Sequence, residues 1–299
     1  MSILPSKIGQ MKIAYLILAH NNPIVLNRLL SALNIDANTC FVHIDNKSKI
    51  KSDQLTKLPK TTEVSPRITI NWGGFSVVQA TLELLNAARA YNNFDRFVLI
   101  SGDSYPVKSN AFIQTYFRDH NEVEFMNYVQ MPGVGKDLAR LNYYHEHNPR
   151  EINLQAVQAK VINYLATKKQ FRKPFKDQFS LIPFAGSQWW SMTDRAISFI
   201  FAFLKMNPMY IEYYRRTYIP DEMFFQTIIC NSTFKMQIQP SLVFTDWTNS
   251  SAPVPISLDH FDQLRKKVNG VYGEYTPLFA RKFRDSDIEV INQVEKHLR

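Results

Sequence analysis

The 299-residue sequence predicts an α/β fold, a single domain with a mostly parallel central sheet flanked by helices. Three observations carry this. Short apolar runs alternate with amphipathic segments, the strand–helix–strand unit that builds parallel sheets. Polar loops follow three of those runs, at 20–23, 45–48 and 101–106. No internal repeat, low-complexity stretch or linker divides the chain.

Residues 12–19, Lys-Ile-Ala-Tyr-Leu-Ile-Leu-Ala, form an apolar run bounded by polar residues, the pattern of a strand buried on both faces. His20-Asn21-Asn22-Pro23 breaks it, and Pro23 suits the first turn of a helix. Ile24, Leu26, Leu29, Leu30 and Leu33 follow at helical spacing. Residues 39–44 read as a second strand and 67–70 as a short one. Trp72-Gly73-Gly74 is a turn. The spacing of Val77, Ala80, Leu84, Leu85 and Ala88 predicts a helix over 76–91. Residues 94–100 form a third central strand, and another helix begins at 110–118. From 121 to 180 the chain turns polar, aromatic and basic, with a helix around 153–168. Residues 184–192 read as a loop running into a strand, and Thr193-Asp194 can cap a helix over 194–205. Pro220-Asp221-Glu222 marks the start of a helix over 221–230. A last helix starts near Asp285.

Composition excludes several classes. With 45% hydrophobic residues and only 9 glycines, the chain is neither disordered nor fibrous. A net charge of +9 points to an anionic partner. The basic residues are spread rather than massed, which favours a phosphate-bearing substrate or a membrane surface over nucleic acid. Two cysteines, Cys40 and Cys230, each beside apolar residues, make no disulfide framework and fit a reducing compartment. No apolar run reaches the roughly 18 residues of a membrane span, and residues 1–10 lack the apolar core of a signal peptide. A cytoplasmic location is expected. The basic excess is compatible with peripheral docking at the inner face of the cell membrane.

In an open parallel sheet, ligands bind beyond the carboxyl ends of the strands. The three polar loops therefore predict a nucleotide pocket within residues 11–120, and His20, Asp45, Lys47 and Gly102 stand on them. The chain has no Gly-x-Gly-x-x-Gly and no P-loop motif, which counts against a dinucleotide dehydrogenase or an NTPase. Asp45 is placed to meet a base or ribose, or equally to close a turn. In Pro220-Asp221-Glu222 two adjacent carboxylates cannot face the same way. One can serve the helix start while the other points into a cleft as a proton acceptor, although capping alone is the commoner role. Arg281-Lys282, flanked by apolar residues, should meet an anion. That anion is a diphosphate leaving group or a local acid such as Glu274. The histidines and cysteines show no metal-binding spacing. Asp285-Ser286-Asp287 reads as caps for the last helix rather than a divalent-ion site. If Trp189 and Trp190 alternate on a strand, one faces outward and could stack on a sugar, while core filling is at least as common.

These pieces occur in a telling order: Leu-Ile-Leu-Ala-His at 16–20, Val-His-Ile-Asp-Asn-Lys-Ser at 42–48, Trp72-Gly73-Gly74, Ser101-Gly102 with Tyr-Pro-Val-Lys-Ser-Asn at 105–110, Gly-Ser-Gln-Trp-Trp at 186–190, Pro220-Asp221-Glu222, and Leu-Phe-Ala-Arg-Lys-Phe at 278–283. Together they resemble the core-2/I-branching β-1,6-N-acetylglucosaminyltransferase family, which includes protein xylosyltransferases and bacterial members. The resemblance covers nearly the whole chain. It implies a GT-A-like fold and an inverting transfer from a UDP-sugar to a glycan acceptor, with no metal and no other cofactor. UDP-N-acetylglucosamine is the implied donor, with UDP-xylose and UDP-glucuronic acid as alternatives.

The resemblance also implies residue roles. Asp45, with His20 nearby, meets the uracil or ribose, Lys282 binds the diphosphate, and Glu222 deprotonates the acceptor hydroxyl. Lys47, Gly102 and Arg281 belong to the donor side. Arg140, Tyr143, Trp189 and Trp190 are expected acceptor contacts within residues 121–299. Two departures stand out. Ser104 occupies the place where animal members carry an aspartate, and Asp103 precedes it. A second basic residue for the diphosphate has no counterpart around 250–255. Arg281 could compensate, but neighbours on a strand point opposite ways. The membrane anchor, stem and disulfides of animal members have no counterpart, which suits a bacterial relative. The rival from another class is a carbohydrate- or nucleotide-binding protein without turnover, which would need no base at Glu222.

Overall fold

Strand β1 (Ile13–Ala19) shows how the core is divided. Ile13, Tyr15 and Ile17 join one apolar cluster, and Ala14 and Leu16 join another. Side chains alternate across a strand, so a strand buried on both faces must be apolar throughout. The computed structural model describes residues 10–145, 157–158, 160–162, 164–165, 172–248 and 252–299.

Strand β1 pairs in parallel with β2 (Asn38–Ile44) and β4 (Arg96–Ser101). Strand β3 (Thr61–Glu63) continues the sheet beyond β2. Strand β9 (Trp190–Thr193) runs antiparallel between β4 and β6 (Glu124–Met126), and β10 (Ile238–Gln239) closes the edge parallel to β6. The seven-strand order is β10-β6-β9-β4-β1-β2-β3, the mostly parallel sheet that the sequence predicts. Helix α1 (Pro23–Leu33) packs on the Ile13 face, α2 (Ser76–Tyr91) on the Ala14 face, and α3 (Asn110–Asp119) again on the Ile13 face. Helices Asp194–Met206 and Phe224–Cys230 join α2, while Ile288–His297 joins α1.

Three small sheets accompany the large one. Strands β5 (Ser104–Pro106), β14 (Phe279–Arg281) and β11 (Val243–Thr245) form one, with Arg281 opposite Ser104. Strand β7 (Val129–Gln130) pairs with β8 (Phe184–Ala185), and β12 (Val268–Gly270) with β13 (Gly273–Tyr275) form a hairpin.

Several expectations need correction. Residues 67–70 are not a strand. Their backbone bonds to loop and side-chain groups instead: Ile68 N donates to His43 Nε2 at 2.9 Å and Ile70 N to Asp45 Oδ1 at 3.1 Å. The helix expected over 221–230 starts later, because Pro220–Glu222 is a separate 3-10 turn and the α-helix is Phe224–Cys230. Of the helix expected around 153–168, the described residues within 157–165 are helical. The rest, with Lys168-Lys169, lies outside the described residues, as do residues 250–251 of the 250–255 segment. Thr193 caps its helix as expected, its Oγ1 accepting from Ala196 N at 3.2 Å. Asp285 caps a different helix from the one expected: its Oδ1 accepts from Val25 N in α1 at 2.9 Å.

Candidate active site

Three loops leave the carboxyl ends of β1, β2 and β4 side by side, and His20, Asp45, Lys47 and Gly102, expected to face a donor, sit on them. Asp45 is buried, and its Oδ1 accepts from Lys47 N at 3.0 Å and from Ile70 N at 3.1 Å. The carboxylate thus closes its own turn and holds the 67–70 segment. Lys47 Nζ reaches Asn71 Oδ1 at 3.4 Å. Gly102 lies against β1: a Cβ there would fall 2.9 Å from Ala19 Cβ, so only glycine lets this loop descend onto the strand.

Asp103 is the hub of this side. Its side chain is 1% exposed, and it meets Arg281 Nη2 at 3.3 Å and Lys282 Nζ at 3.4 Å. The Ser101 hydroxyl also donates to it. Burial alone would raise this carboxyl, but Arg281, the Ser101 hydrogen bond and Lys282 together hold it below its ordinary value. The expectation that Arg281 and Lys282 point apart is therefore corrected. The peptide between them is cis, and both reach one carboxylate. The alternative partner Glu274 is taken by Lys267 at 2.9 Å. His20 belongs to the same neighbourhood. Burial pushes its imidazole down, Asp103 and Asp45 pull it up, and Lys282 and Arg281 oppose them.

The second acidic site is built around Glu222. Ile219, in the left-handed region at φ 51°, donates its N–H to Gly73 O at 2.8 Å. The Trp72-Gly73-Gly74 turn thereby anchors the chain just before Pro220–Glu222. As expected, the adjacent carboxylates diverge. Asp221 turns inward with Oδ1 buried and without a hydrogen-bond partner. Burial first, and Glu222 second, push its carboxyl up to about 7. Glu222 turns outward, and its Oε2 accepts from Lys136 Nζ at 2.5 Å and Arg140 Nη1 at 2.9 Å. Its backbone carbonyl accepts from Gly186 N at 2.7 Å.

Gly186 ties the two sides together. A Cβ at this position would lie 1.7 Å from Asn127 O, so the chain passes where no other residue fits. Three residues on, the Trp189 ring carries the Arg281 guanidinium 4.9 Å from its centroid. Three extended residues span at most about 11 Å. The segment 186–189 therefore touches the Glu222 turn at one end and the Asp103 cluster, through Arg281, at the other.

Other expected contacts are redrawn. Trp190 is 1% exposed and packs on Phe225 at 5.5 Å between centroids. It is core and cannot stack on an acceptor. Trp189 is buried as well, beneath Arg281. The in–out alternation fails because β9 begins only at Trp190. Arg140 is engaged by Glu222 and by Gly135 O at 2.9 Å. Tyr143 is partly exposed, and its carbonyl accepts from Arg172. Sequence reasoning does not find Lys136. Its role depends on a partner 86 residues away, and the only local signal is a place four residues before Arg140. Asp287 Oδ2 accepts from Arg284 N at 3.1 Å, so both acids of the Asp-x-Asp serve backbone caps.

Comparison with known proteins adds the family. A model of the family described as Core-2/I-Branching enzyme matches residues 13–265. That stretch includes Asp45, Asp103 and Glu222, while Arg281 and Lys282 lie beyond it. Xylosyltransferase 2 of Canis lupus familiaris is 21% identical over 252 residues, covering 79% of this chain and 26% of that protein. Xylosyltransferase of Ciona intestinalis is 21% identical over 320 residues, covering 96% of this chain and 34% of its own length. The chain thus spans about a quarter to a third of these relatives. The crystal structure of mouse Xyloside xylosyltransferase 1 in its apo form covers 90% of this chain and 97% of its own at 11% identity, with a TM-score of 0.36, a likeness too loose to argue from. With most of its length matched by the family model, the chain belongs to the Core-2/I-Branching enzyme family.

Proposed function

We propose that this protein is an inverting glycosyltransferase that moves a sugar from a UDP-sugar to a hydroxyl of a glycan acceptor without a catalytic metal. The observation that carries the reading is the pairing of one outward carboxylate, Glu222, with a two-cation, one-acid cluster that the segment 186–189 links to it. Asp103 neutralises one charge of Arg281 and Lys282, which leaves one positive charge for an anion. A departing diphosphate gains charge in the transition state, so a fixed cation there lowers the barrier. Glu222 takes the acceptor proton as the new bond forms. Both cations on Glu222 contact Oε2, so Oε1 is the oxygen offered to the acceptor. A single in-line displacement turns an α-linked donor into a β-linked product. Asp45 and His20 border the place for the uracil and ribose.

UDP-N-acetylglucosamine is the first donor to test. UDP-xylose follows, because the matched relatives are named xylosyltransferases, and then UDP-glucuronic acid. The net charge of +9 supports peripheral association with an anionic membrane face in the cytoplasm. The test is turnover of a UDP-sugar panel in EDTA, with wild type beside Glu222→Gln. The expected result is one donor turned over in EDTA, and loss of transfer by about a hundredfold or more in the variant with UDP binding kept. A requirement for a divalent ion refutes the metal-free step, and an active Glu222→Gln refutes the base.

A further inference from the structure

A cavity of about 290 Å³ lies under the β12–β13 hairpin. One wall is aromatic. Tyr116 and His120 stack with centroids 4.3 Å apart, and Phe125 packs on them at 5.7 and 5.9 Å. The facing wall is formed by Tyr275 and Pro240. Gly273 lies close against this wall, where a Cβ would come within 3.2 Å of Pro240. Gln239 and Thr276 add an amide and a hydroxyl to the lining. Lys267 and Glu274, also lining the cavity, are paired at 2.9 Å and cancel one another.

This lining selects a ligand class. Flat ring faces cover C–H surfaces, while a few fixed polar groups receive hydroxyls. Balanced charges give no preference for an anion or a cation. The volume stands at the small end of the roughly 300–1,000 Å³ common for ligand pockets, which suits one ring rather than a chain.

The same hairpin lies within electrostatic reach of Glu222. Tyr272, at its tip, feels Glu222 and Arg140: burial first, and then Glu222, raise its phenol. Tyr275, three residues on, lines the cavity, and three extended residues cover only about 10 Å. We propose that the cavity is a subsite for one uncharged sugar ring of the acceptor glycan, set apart from the ring whose hydroxyl meets Glu222. This deepens, and rests on, the glycosyltransferase reading above.

The experiment compares N-acetylglucosamine and glucose with the matching chito- and cello-oligosaccharides, from di- to tetrasaccharide. Binding is read by saturation-transfer NMR and transfer by UDP release. Two variants are used: Gln239→Trp, which fills the cavity from an edge strand, and Glu274→Gln, which removes the exposed ion pair with little volume change. In wild type, at least one series should bind its longer members on the order of tenfold more tightly than the monosaccharide. Gln239→Trp should abolish that gain and Glu274→Gln should reduce it, with UDP affinity and donor hydrolysis unchanged in both. No length preference in either series overturns the subsite, as does a preference that both variants keep. Binding needs no turnover. Oligosaccharide binding that Gln239→Trp abolishes, in a protein that turns over no UDP-sugar, would refute the catalytic reading and leave the sugar subsite standing.

Discussion

Asp103 divides its carboxylate between neighbouring residues, with Oδ1 3.3 Å from Arg281 Nη2 and Oδ2 3.4 Å from Lys282 Nζ. Lys282 is the more exposed of the two cations, at 28% against 12%, so it can turn to a ligand at lower cost. Lys282→Met should weaken UDP binding about tenfold or more, and lower kcat further than it raises KM. Isothermal titration with UDP, followed by steady-state transfer kinetics, reads both. Unchanged UDP affinity would remove Lys282 from the donor site.

Asp103→Asn should act on the fold. Arg281 keeps its place in a largely buried site but loses its counter-charge, and breaking such a pair costs about 3 kcal/mol. A urea denaturation curve should show the midpoint fall with the slope unchanged. A variant of wild-type stability would mean that Arg281 turns out to solvent.

Asp221 ties stability to pH. Its folded carboxyl is raised from 3.8 to about 7, so the folded chain keeps a proton that the unfolded chain releases. The folded state binds more protons throughout that window, and its stability therefore falls as pH rises through it. Below the window the protonated acid is neutral in both states and costs nothing extra. Asp221→Asn should flatten this part of the profile, read as melting temperature against pH. A slope equal to that of wild type would show that Asp221 is not its source.

Gly186→Ala should be severe. The added methyl would meet Asn127 O at 1.7 Å, so the segment 186–189, which contacts Glu222 through Gly186 N, must shift. Transfer should drop by at least about a hundredfold, since misplacing a reacting group by an ångström costs that much. UDP affinity should change less, because the Asp103 cluster is held by β4 and β14. Retained activity would show that the backbone here yields cheaply.

Arg96 is a buried cation bonded to carbonyls. It donates to Val123 O at 3.0 Å and His120 O at 2.9 Å, and lies over the rings of Phe117 and Phe125. Arg96→Met should cost roughly 2–4 kcal/mol, because those carbonyls lose their donor. Chemical denaturation measures it. The same change should loosen the Phe125 wall of the cavity and weaken oligosaccharide binding there.

What could be read beforehand follows the range of the forces involved. Strands β1, β2 and β4 and helices α1 and α2 were legible, because each carries its own periodicity and is buried along its length. Asp45 and Glu222 stood out because each follows a local signal, a strand end and a proline-led turn. Residues 67–70 were misread because extended backbone can pair with side chains such as His43 and Asp45 as well as with a strand. Asp103 as a common partner for Arg281 and Lys282 was out of reach, since the contact closes over 178 residues. Lys136 was hidden for the same reason. Trp189 and Trp190 were misjudged because alternation holds only inside a strand.

The bond from Val25 N to Asp285 Oδ1 spans 260 residues. During synthesis, the first helix therefore emerges long before the residue that caps it exists. Residues 11–120 can be made in full before that end can be closed by Asp285. A stalled or prematurely terminated chain lacking only its last segment would carry Asp45 and Glu222 and yet leave α1 unfinished. The first helix should thus gain its full protease resistance only after the finished chain leaves the ribosome, when Asp285 becomes free to reach Val25.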